Sequence, residues 1–366
     1  MNPPYVIGLM SGTSLDGIDA GLVEFSPARP SGQLLHTAYA SYPDDLRQQL
    51  LAIHITGADE LHRAAQLANR LAEAYAQTIS TLLCKAKIPP QQIQAIGCHG
   101  QTVRHRPDAG YSVQLVNASL LAERSGIRVI ADFRSRDIAA GGQGAPLVPA
   151  FHAAAMRHRS AHRVIVNIGG IANLTDLPPA GKISGFDCGP GNLLMDAWIQ
   201  QHLGERYDRN GTWAETGQLL PSLLNTLASH DFFSMQPPKS AGREQFNMDW
   251  LKLCLSGNEA PEDVQATLLA LTAGAIARAI ETHCSSAEEV YVCGGGARNG
   301  ALMRALKGAM PNRLVGLSDN LGVDADWLEA HAFAWLARQT LLGLPGNVIE
   351  VTGARHPCIL GAIYPA

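Results

Sequence analysis

The stretch GLMSGTSLDGID, residues 8–19, decides the fold of this chain. It places three glycines among small hydroxyl side chains and two carboxylates, Asp16 and Asp19, with apolar residues on both sides. Apolar runs that meet at a glycine-rich segment are typical of two strands joined by a turn. Glycine lets a ligand approach the backbone closely, and the exposed N–H groups of such a turn form a concavity for anions. The sequence therefore predicts a strand–turn–strand unit over residues 5–25. One such turn is usually only a turn, but several that converge would suit a polyphosphate.

The same pattern returns in the second half of the chain. HRVIVNIGGIANLTDL, residues 162–177, again predicts strand, glycine turn and strand, and a third glycine turn follows the apolar run EVYVC at residues 289–293. Segments with apolar residues at helical spacing lie between the predicted strands, at residues 61–87, 264–283 and 326–343. Strands that alternate with helices predict an α/β fold. The recurrence indicates two similar α/β domains with a cleft between them.

Composition supports a folded protein and excludes some partners. The 366 residues suffice for about two domains, and 46% are hydrophobic while 16% are charged, which favours large buried cores. The net charge is −4 and no run of Lys and Arg occurs, so the charge pattern of a nucleic-acid-binding protein is missing. We find no basic, apolar leader and no apolar run of the roughly 18 residues that span a membrane. These observations predict a cytoplasmic protein without nucleic-acid or membrane partners.

The cysteines do not form a recognisable ligand set. The seven cysteines are scattered and no CxxC spacing occurs, which predicts reduced thiols rather than a zinc site or a disulfide framework.

Two common phosphate motifs are absent. A Walker A loop needs GxxxxGK[ST], but no GKS or GKT occurs, and Lys182 after Gly181 is followed by Ile183. A dinucleotide fingerprint needs a third glycine where CGGGARNG has Asn299. A clamp of paired hairpins, one from each half of the chain, remains, and that is the phosphate site of the actin, Hsp70 and sugar-kinase superfamily.

Several longer motifs make the resemblance specific. The chain resembles the anhydro-N-acetylmuramic acid kinase family in a set of motifs that occur in the family's order: GLMSGTSLDGID, GCHGQTVRHRP, ADFRSRDIAAGGQGAPLVP, VNIGGIANL, GFDCGPGNLLMDAW, PKSAGREQFN, VCGGGARN and the closing LGAIYPA. The resemblance implies two RNase H-like domains that flank an active-site cleft, with expected limits 1–135 plus 350–366 and 136–349. It also implies an ATP- and Mg²⁺-dependent enzyme that opens the 1,6-anhydro bond of 1,6-anhydro-N-acetylmuramic acid with water and phosphorylates O6.

The resemblance assigns ATP to the three glycine-rich segments. Its residues are Gly12, Thr13, Ser14, Leu15, Asp16, Gly17, Ile18 and Asp19 in the first segment, Gly169 and Gly170 in the second, and Gly294, Gly295 and Gly296 in the third. Asp16 and Asp19 are also candidates to hold Mg²⁺ through waters, because Mg²⁺ keeps much of its hydration shell. The structural alternatives are a carboxylate that caps its own turn and, at the third segment, a plain strand–helix turn.

The resemblance assigns the base that activates water to Asp187, which lies between glycines in GFDCGPGN. The alternative is an Asx-turn residue that stabilises its own loop. Arg134 or Arg136 is the candidate partner of the sugar's lactyl carboxylate, since guanidinium binds carboxylate in a bidentate manner. The alternative for both is an ion pair with Asp132 or Asp137.

The remaining sugar-site candidates come from two segments. Gln101 and Thr102, together with His99, belong to CHGQT, and a structural role is the alternative for the histidine. Glu329 lies in an apolar helical segment, so we expect it to be partly buried and to bind a sugar hydroxyl.

Other functions stay open at this point. Another sugar or carboxylate kinase of the superfamily would use the same phosphate turns. An ATP-driven switch like Hsp70 or actin would need a peptide-binding domain or a polymer contact surface in addition, and a carbohydrate-binding module would not need three phosphate turns. A homodimer is a further arrangement that the sequence leaves open.

Overall fold

A computed structural model describes residues 4–12 and 15–366, so Thr13 and Ser14 of the predicted ATP segment lie outside the described residues. The chain divides into two compact units. Unit 1 comprises Met1–Ala155 and Trp327–Ala366, and unit 2 comprises Met156–Asp326. The expected limits, 1–135 with 350–366 and 136–349, differ from this division at both boundaries.

Both units combine strands with helices. Unit 1 contains β1 (Tyr5–Met10), β2 (Gly17–Ser26), β3 (Arg29–Ser41), α1 (Asp44–Ile53), α2 (Glu60–Ala86), β4 (Ile93–Cys98), β5 (Gln101–Arg106), β6 (Tyr111–Leu115), α3 (Ala118–Ser125), β7 (Val129–Ala131), α4 (Ser135–Ala139), α5 (Val148–Met156), α11 (Leu328–Leu341), α12 (Ile349–Thr352) and β13 (Ala362–Tyr364). Unit 2 contains β8 (Arg163–Ile168), β9 (Ile171–Leu177), β10 (Ser184–Pro190), α6 (Leu193–Leu203), α7 (Pro221–Ala228), α8 (Met248–Cys254), α9 (Pro261–His283), β11 (Glu289–Cys293), α10 (Gly300–Ala309) and β12 (Leu314–Leu317).

The main sheets of the two units share one topology. The strand order is β13-β7-β4-β1-β2-β3 in unit 1 and β10-β9-β8-β11-β12 in unit 2. In unit 1, β1, β2 and β3 pair in antiparallel order, β4 pairs parallel with β1, and β7 pairs parallel with β4. In unit 2, β8, β9 and β10 pair in antiparallel order, β11 pairs parallel with β8, and β12 pairs parallel with β11. This repeated order is that of an RNase H-like unit, so the predicted duplication of an α/β unit is confirmed.

Helix α11 explains why the second boundary lies before residue 327. It packs so closely on β1 and β4 that a Cβ at Gly8 would overlap the carbonyl oxygen of Ala330, and one at Gly97 would overlap that of Phe333. Gly8 therefore lies within β1 and serves helix packing, whereas the sequence placed it in the glycine turn. A helix in backbone contact with two central strands belongs to their unit.

The first boundary is explained by a buried carboxylate. Asp137 on α4 is fully buried and accepts hydrogen bonds from Asn347 Nδ2 at 2.6 Å and Thr352 Oγ1 at 2.7 Å. These bonds tie residues just after 135 to the C-terminal part of unit 1. A buried carboxylate is stable only when such donors satisfy it, and these bonds agree with the placement of the segment in unit 1.

Helix α9 is the core helix of unit 2. Among the described residues it is the one helix long and apolar enough to cross a membrane, and 67% of its 18-residue apolar window is buried inside the protein. That burial is what the core helix of a folded unit shows. The predicted helices 61–87, 264–283 and 326–343 correspond to α2, α9 and α11.

The cysteines are mostly buried side chains. All seven cysteines are free thiols. Burial raises the pKa of Cys98 to about 12, and it also raises the pKa of Cys188 and of Cys284. The fold thus uses these three as small buried residues rather than as reactive groups.

Candidate active site

Buried side chains of unit 1 form hydrogen bonds to the residues around the turn between β1 and β2. Gln101 is fully buried, and its Nε2 donates to the carbonyl oxygen of Gly12 at 3.0 Å. Its Oε1 accepts from the hydroxyl of Tyr42 at 3.2 Å. Ser11 shares a hydrogen bond of 2.6 Å with the hydroxyl of buried Tyr75. Gln101 thus fixes the predicted phosphate turn through Nε2 and contacts Tyr42 through Oε1, and its predicted sugar contact stays a prediction.

The second half of this turn has an unusual backbone. Leu15 has φ +57°, a region that bulky residues rarely enter, and its N–H donates to Gly12 O at 3.2 Å. Asp16 follows, with its Oδ1 accepting from the N–H of Gly17 at 3.1 Å and its carbonyl accepting from the Tyr39 hydroxyl at 3.0 Å. The surrounding bonds therefore impose a strained turn at the point where the sequence predicts ATP.

The carboxylates of this turn fit a hydrated magnesium ion. Asp16 is exposed and Asp19 is half-buried at the start of β2. Carboxylate oxygens are ligands that Mg²⁺ takes, and it uses one or two of them while keeping several waters. Within the described part of the chain, no group of three or more His, Cys, Asp or Glu side chains could hold a metal. A dry, protein-only metal cage is therefore not what these residues form.

Arg134 is positioned by two hydrogen bonds. Its Nη2 donates to Nε2 of His99 at 2.7 Å, and its Nη1 donates to the carbonyl oxygen of Gly144 at 2.7 Å. Arginine has no acceptor, so this nitrogen of His99 is the unprotonated one. Burial and the charge of Arg134 lower the pKa of His99 to about 3, and its ring packs 4.8 Å from that of Phe333. The histidine is a neutral support for the guanidinium.

Arg134, Glu329 and Asp16 interact within unit 1. Burial lowers the pKa of Arg134 to about 10, and the charges of Glu329 and Asp137 oppose that shift. Burial raises the pKa of Glu329, the charge of Arg134 lowers it, and the charge of Asp16 raises it. Three of the residues predicted from sequence are thus brought near one another.

Two polar atoms remain unpaired in this cluster. Within the described residues, the buried Nε of Arg134 and Nδ1 of His99 have no hydrogen-bond partner. Buried polar groups in folded proteins are nearly always satisfied. These two atoms are therefore exceptions to that rule within the cluster.

The alternative role of the arginines as surface ion pairs is wrong. Arg136 is exposed, and among the described residues neither it nor Arg134 forms a salt bridge with Asp132 or Asp137. Asp137 instead accepts from the N–H of Gly144 at 2.8 Å. It thereby fixes the loop whose carbonyl holds Arg134, a role that the sequence did not indicate.

Thr102 lies at the base of the β5–β6 hairpin. Its Oγ1 accepts from Gln114 Nε2 at 2.7 Å, and the residue is half-buried. The hydroxyl proton of Thr102 is not used in that bond, so the predicted sugar contact stays a prediction.

The turn between β8 and β9 carries glycines that the fold does not require. A Cβ at Gly169 would meet its nearest neighbour, Ile171 O, at 3.7 Å, and one at Gly170 would meet Leu193 Cβ at 3.9 Å. Neither residue is in the left-handed region of φ. The carbonyl oxygens of both accept from the N–H groups of residues 191–193 at 2.8–3.1 Å. The fold fixes this turn and leaves open the space that a side chain would fill.

The third turn is partly structural. Gly294 has φ +79°, and a Cβ there or at Gly296 would overlap Asn167 or Ile168 respectively. Gly295 is exposed, and the nearest atom to its Cβ would be Asn192 Nδ2 at 3.7 Å. The strand–helix turn therefore explains two of the three glycines, and only Gly295 leaves open backbone for a ligand.

Asp187 lies on β10 next to a break in the ladder. Asp187 pairs with Asn173 and Gly189 with Ala172, so Cys188 is the extra residue of a β-bulge. Bulges are frequent beside active sites, where they re-aim a side chain. The sequence placed Asp187 in a loop. The Asx-turn alternative is wrong, because the carboxylate bonds a segment more than fifty residues away.

The carboxylate of Asp187 is anchored through one oxygen. Oδ2 accepts from the N–H of Ala241 at 2.8 Å and from Ser240 Oγ at 3.2 Å, and Asp187 donates its own N–H to Lys239 O at 3.1 Å. Burial raises the pKa of Asp187, while the hydrogen bonds from Ala241 and Ser240 and the charge of Lys239 lower it. No described residue donates to Oδ1. A half-buried carboxylate with one fixed and one unbonded oxygen is arranged to accept a proton.

The hydrogen-bond partners of Asp187 were not assigned by the sequence reasoning. Lys239, Ser240 and Ala241 belong to PKSAGREQFN, a motif that the resemblance included without a role. Their contact with β10 depends on the tertiary fold, so spacing alone could not assign them.

Comparisons with known proteins agree across the whole chain. Residues 4–366 match the sequence profile of the family described as anhydro-N-acetylmuramic acid kinase. A protein of that name from Nitrosospira multiformis is 59% identical over 100% of this chain and 100% of its own length. Another from Nitrosomonas europaea is 57% identical over 99% of this chain and 100% of its own. A solved ROK family glucokinase from Streptomyces griseus, in complex with glucose and AMPPNP, covers 92% of this chain and 99% of its own at 12% identity and a TM-score of 0.43. Similarity at that level contributes nothing to the assignment of ligands.

Proposed function

Because this chain belongs to the anhydro-N-acetylmuramic acid kinase family, we propose that it converts 1,6-anhydro-N-acetylmuramic acid, ATP and water into N-acetylmuramic acid 6-phosphate and ADP. The observation that carries this proposal is the carboxylate of Asp187, fixed through Oδ2 and unbonded at Oδ1. Hydrolytic opening of the anhydro bond needs a base for water, and this carboxylate has the geometry of one.

In the proposed reaction Oδ1 of Asp187 takes a proton from water while the water oxygen bonds to C1 of the sugar. The C1–O6 bond breaks, and its electron pair stays on O6. O6 then bonds to the γ-phosphorus as the bond between that phosphorus and the β–γ bridging oxygen breaks, and ADP leaves. The proton on Asp187 passes to solvent, so the net products are the sugar phosphate, ADP and one proton.

We assign the binding of the sugar to unit 1. Arg134 is held by His99 and Gly144, and its guanidinium has more N–H donors than these two bonds use, which suits a carboxylate such as the lactyl group of the sugar. Glu329 would accept from a sugar hydroxyl, and Arg134 beside it favours its ionised form. Thr102 would contribute a hydroxyl, whereas Gln101 would act by fixing the first turn.

We assign the phosphates of ATP to the open glycine turns. In unit 2 the backbones of Gly169, Gly170 and Gly295 would approach the nucleotide without side-chain obstruction. In unit 1 the segment Gly12–Asp19 would hold the triphosphate, with Asp16 and Asp19 as the residues that hold hydrated Mg²⁺. When bound, that ion would neutralise charge on the phosphate oxygens.

The experiment is a turnover assay in water enriched in ¹⁸O. The proposal predicts one ¹⁸O atom in the sugar of the product, with ADP formed in equal amount and only when the anhydro-sugar is present. Phosphorylation of the unopened sugar without ¹⁸O would identify another kind of sugar kinase. ADP formation that is independent of any sugar would indicate a nucleotide-driven switch.

A further inference from the structure

A small cavity lies within unit 2, between helix α9 and the segment 233–239. Its volume is about 130 Å³, and its walls include Cys188 of β10, Lys239, and Arg278 and His283 of α9. Ligand pockets for drug-sized molecules are usually about 300–1,000 Å³. A cavity of this size therefore has room only for a small group.

The cavity is lined by basic side chains. Lys239 is 8% exposed, donates to Phe232 O at 3.2 Å, and lies 4.7 Å from the centre of the Phe232 ring. An ammonium group has three donors, so this one bond leaves further donors. Arg278 is exposed at the mouth of the cavity and has no hydrogen bond or ion pair with any described residue.

The charge of Asp187, which does not line the cavity, acts on Lys239, whereas no described residue pairs with Arg278. His283 faces the same space, with its ring 5.1 Å from Phe186, and burial together with the charge of Lys239 lowers its pKa. Among the described residues that line the cavity, none is an Asp or a Glu. Two cationic side chains, Lys239 and Arg278, in a lining without a carboxylate attract an anion, and the neutral imidazole of His283 can add a hydrogen-bond donor.

The carboxylate of the proposed base does not line the cavity. Phe186 contacts His283, and Cys188 lines the cavity, while Asp187 lies between them in the strand. The carboxylate of Asp187 bonds Ser240 and Ala241, neither of which lines the cavity. The lining therefore excludes the carboxylate itself, while Lys239 belongs to both places, since its carbonyl accepts from Asp187 and its side chain lines the cavity.

We infer that this cavity is a second anion site, which binds the phosphate group of a small molecule or inorganic phosphate. Lys239 supplies a buried donor at its floor, and Arg278 closes on the anion from the surface. A tetrahedral phosphate suits donors that approach from several directions, whereas a planar carboxylate would use only one pair of them.

The test is binding of inorganic phosphate, followed by ³¹P NMR and calorimetry, to the wild-type chain and to Arg278→Ala. Lys307→Ala is the matched control, since it removes one exposed positive charge from α10 of the same unit. Loss of one charge-assisted bond should weaken binding by about tenfold or more in Arg278→Ala and leave Lys307→Ala unchanged. Acetate should bind more weakly than phosphate.

Three outcomes would overturn the inference: no phosphate binding by the wild type, equal binding by all three proteins, or acetate binding as tight as that of phosphate. Equal binding would place the anion elsewhere, for example at the glycine turns. His283→Gln provides a second variant, which should also weaken phosphate binding. None of these readouts depends on kinase activity, so the inference and the proposed function can fail separately.

Discussion

Arg134 donates a hydrogen bond of 2.7 Å to Nε2 of His99, a histidine that burial and this same arginine keep neutral. The bond holds the guanidinium in place through a neutral partner. The positive charge of Arg134 is therefore not neutralised by His99 and remains available to a ligand. The sequence singled out both residues but did not pair them.

The first prediction is that Arg134→Lys raises KM for the anhydro-sugar by about tenfold or more, with little effect on KM for ATP. Lysine cannot donate to His99, Gly144 and a carboxylate in the fixed geometry of a guanidinium. Steady-state kinetics with each substrate varied measures this. Arg136→Ala is the matched control, because Arg136 is exposed and two residues away. A larger effect in Arg136→Ala would indicate that Arg136, rather than Arg134, binds the carboxylate of the sugar.

The second prediction concerns the open glycine turn. Gly170→Ala should fold normally, since its Cβ meets nothing closer than 3.9 Å, and yet lower the affinity for ATP. The added methyl group would occupy space that we assign to the phosphates. Calorimetry with a non-hydrolysable nucleotide measures the affinity. Gly308→Ala is the control, because that helical glycine also has open space. Wild-type affinity in Gly170→Ala would remove this turn from the nucleotide site.

The third prediction is a loss of stability in acid that depends on buried histidines. The pKa of His99 falls from the ordinary 6.5 to about 3, that of His152 to about 3 and that of His331 to about 4, mainly through burial. The unfolded chain therefore binds protons first, so the free energy of unfolding is greatest above pH 6.5 and decreases as pH falls toward 4.

His99→Gln tests this directly, since glutamine can accept from Arg134 but does not titrate. The difference in the free energy of unfolding between pH 7 and pH 5, measured with urea, should be smaller in the variant than in the wild type. An equal difference in both proteins would show that His99 is already protonated in the folded state.

The strands that form the glycine turns could be predicted, because their apolar residues end abruptly at glycine. Strand β10 could not, since SGFDCGP contains residues that rarely favour strands, and its conformation depends on pairing with β9. Gly8 was misassigned for a related reason. A glycine required by helix packing and one required by a ligand look alike in a sequence.

The long-range polar contacts could not be predicted from the sequence either. Asp137 bonds Asn347 and Thr352, more than two hundred residues away. Asp187 was identified through the motif around it, whereas Ser240, which bonds its carboxylate, had no assigned role. Motifs locate reactive residues, but the groups that orient them are selected by the tertiary fold.

The fourth prediction follows from the hydrogen bond between Ser240 and Asp187. If Asp187 is the base, activity falls as pH decreases through its pKa, which burial raises above the ordinary 3.8. The hydrogen bond from Ser240 stabilises the ionised form and lowers that pKa. Ser240→Ala should therefore move the acid limb of kcat/KM to higher pH. Ser234→Ala, an exposed serine without a bond to Asp187, is the control. A limb that does not move would exclude Asp187 as the group that titrates.

The central claim is that one carboxylate couples ring opening to phosphoryl transfer, and Asp187→Asn tests it most directly. Asparagine keeps the size of the side chain but cannot accept the proton, and general-base catalysis contributes about 10²–10⁴ in rate. Turnover should fall by at least that order while the affinities for ATP and sugar change little. Asp196→Asn is the control, because burial and Asp208 raise the pKa of Asp196 to about 7 and make it the competing candidate.

The measurement follows ADP and sugar phosphate in parallel, together with any ring-opened sugar that carries no phosphate. The account predicts that Asp187→Asn loses ring opening and phosphoryl transfer together, and that Asp196→Asn retains both. Accumulation of ring-opened, unphosphorylated sugar, or near-normal turnover in Asp187→Asn, would contradict it.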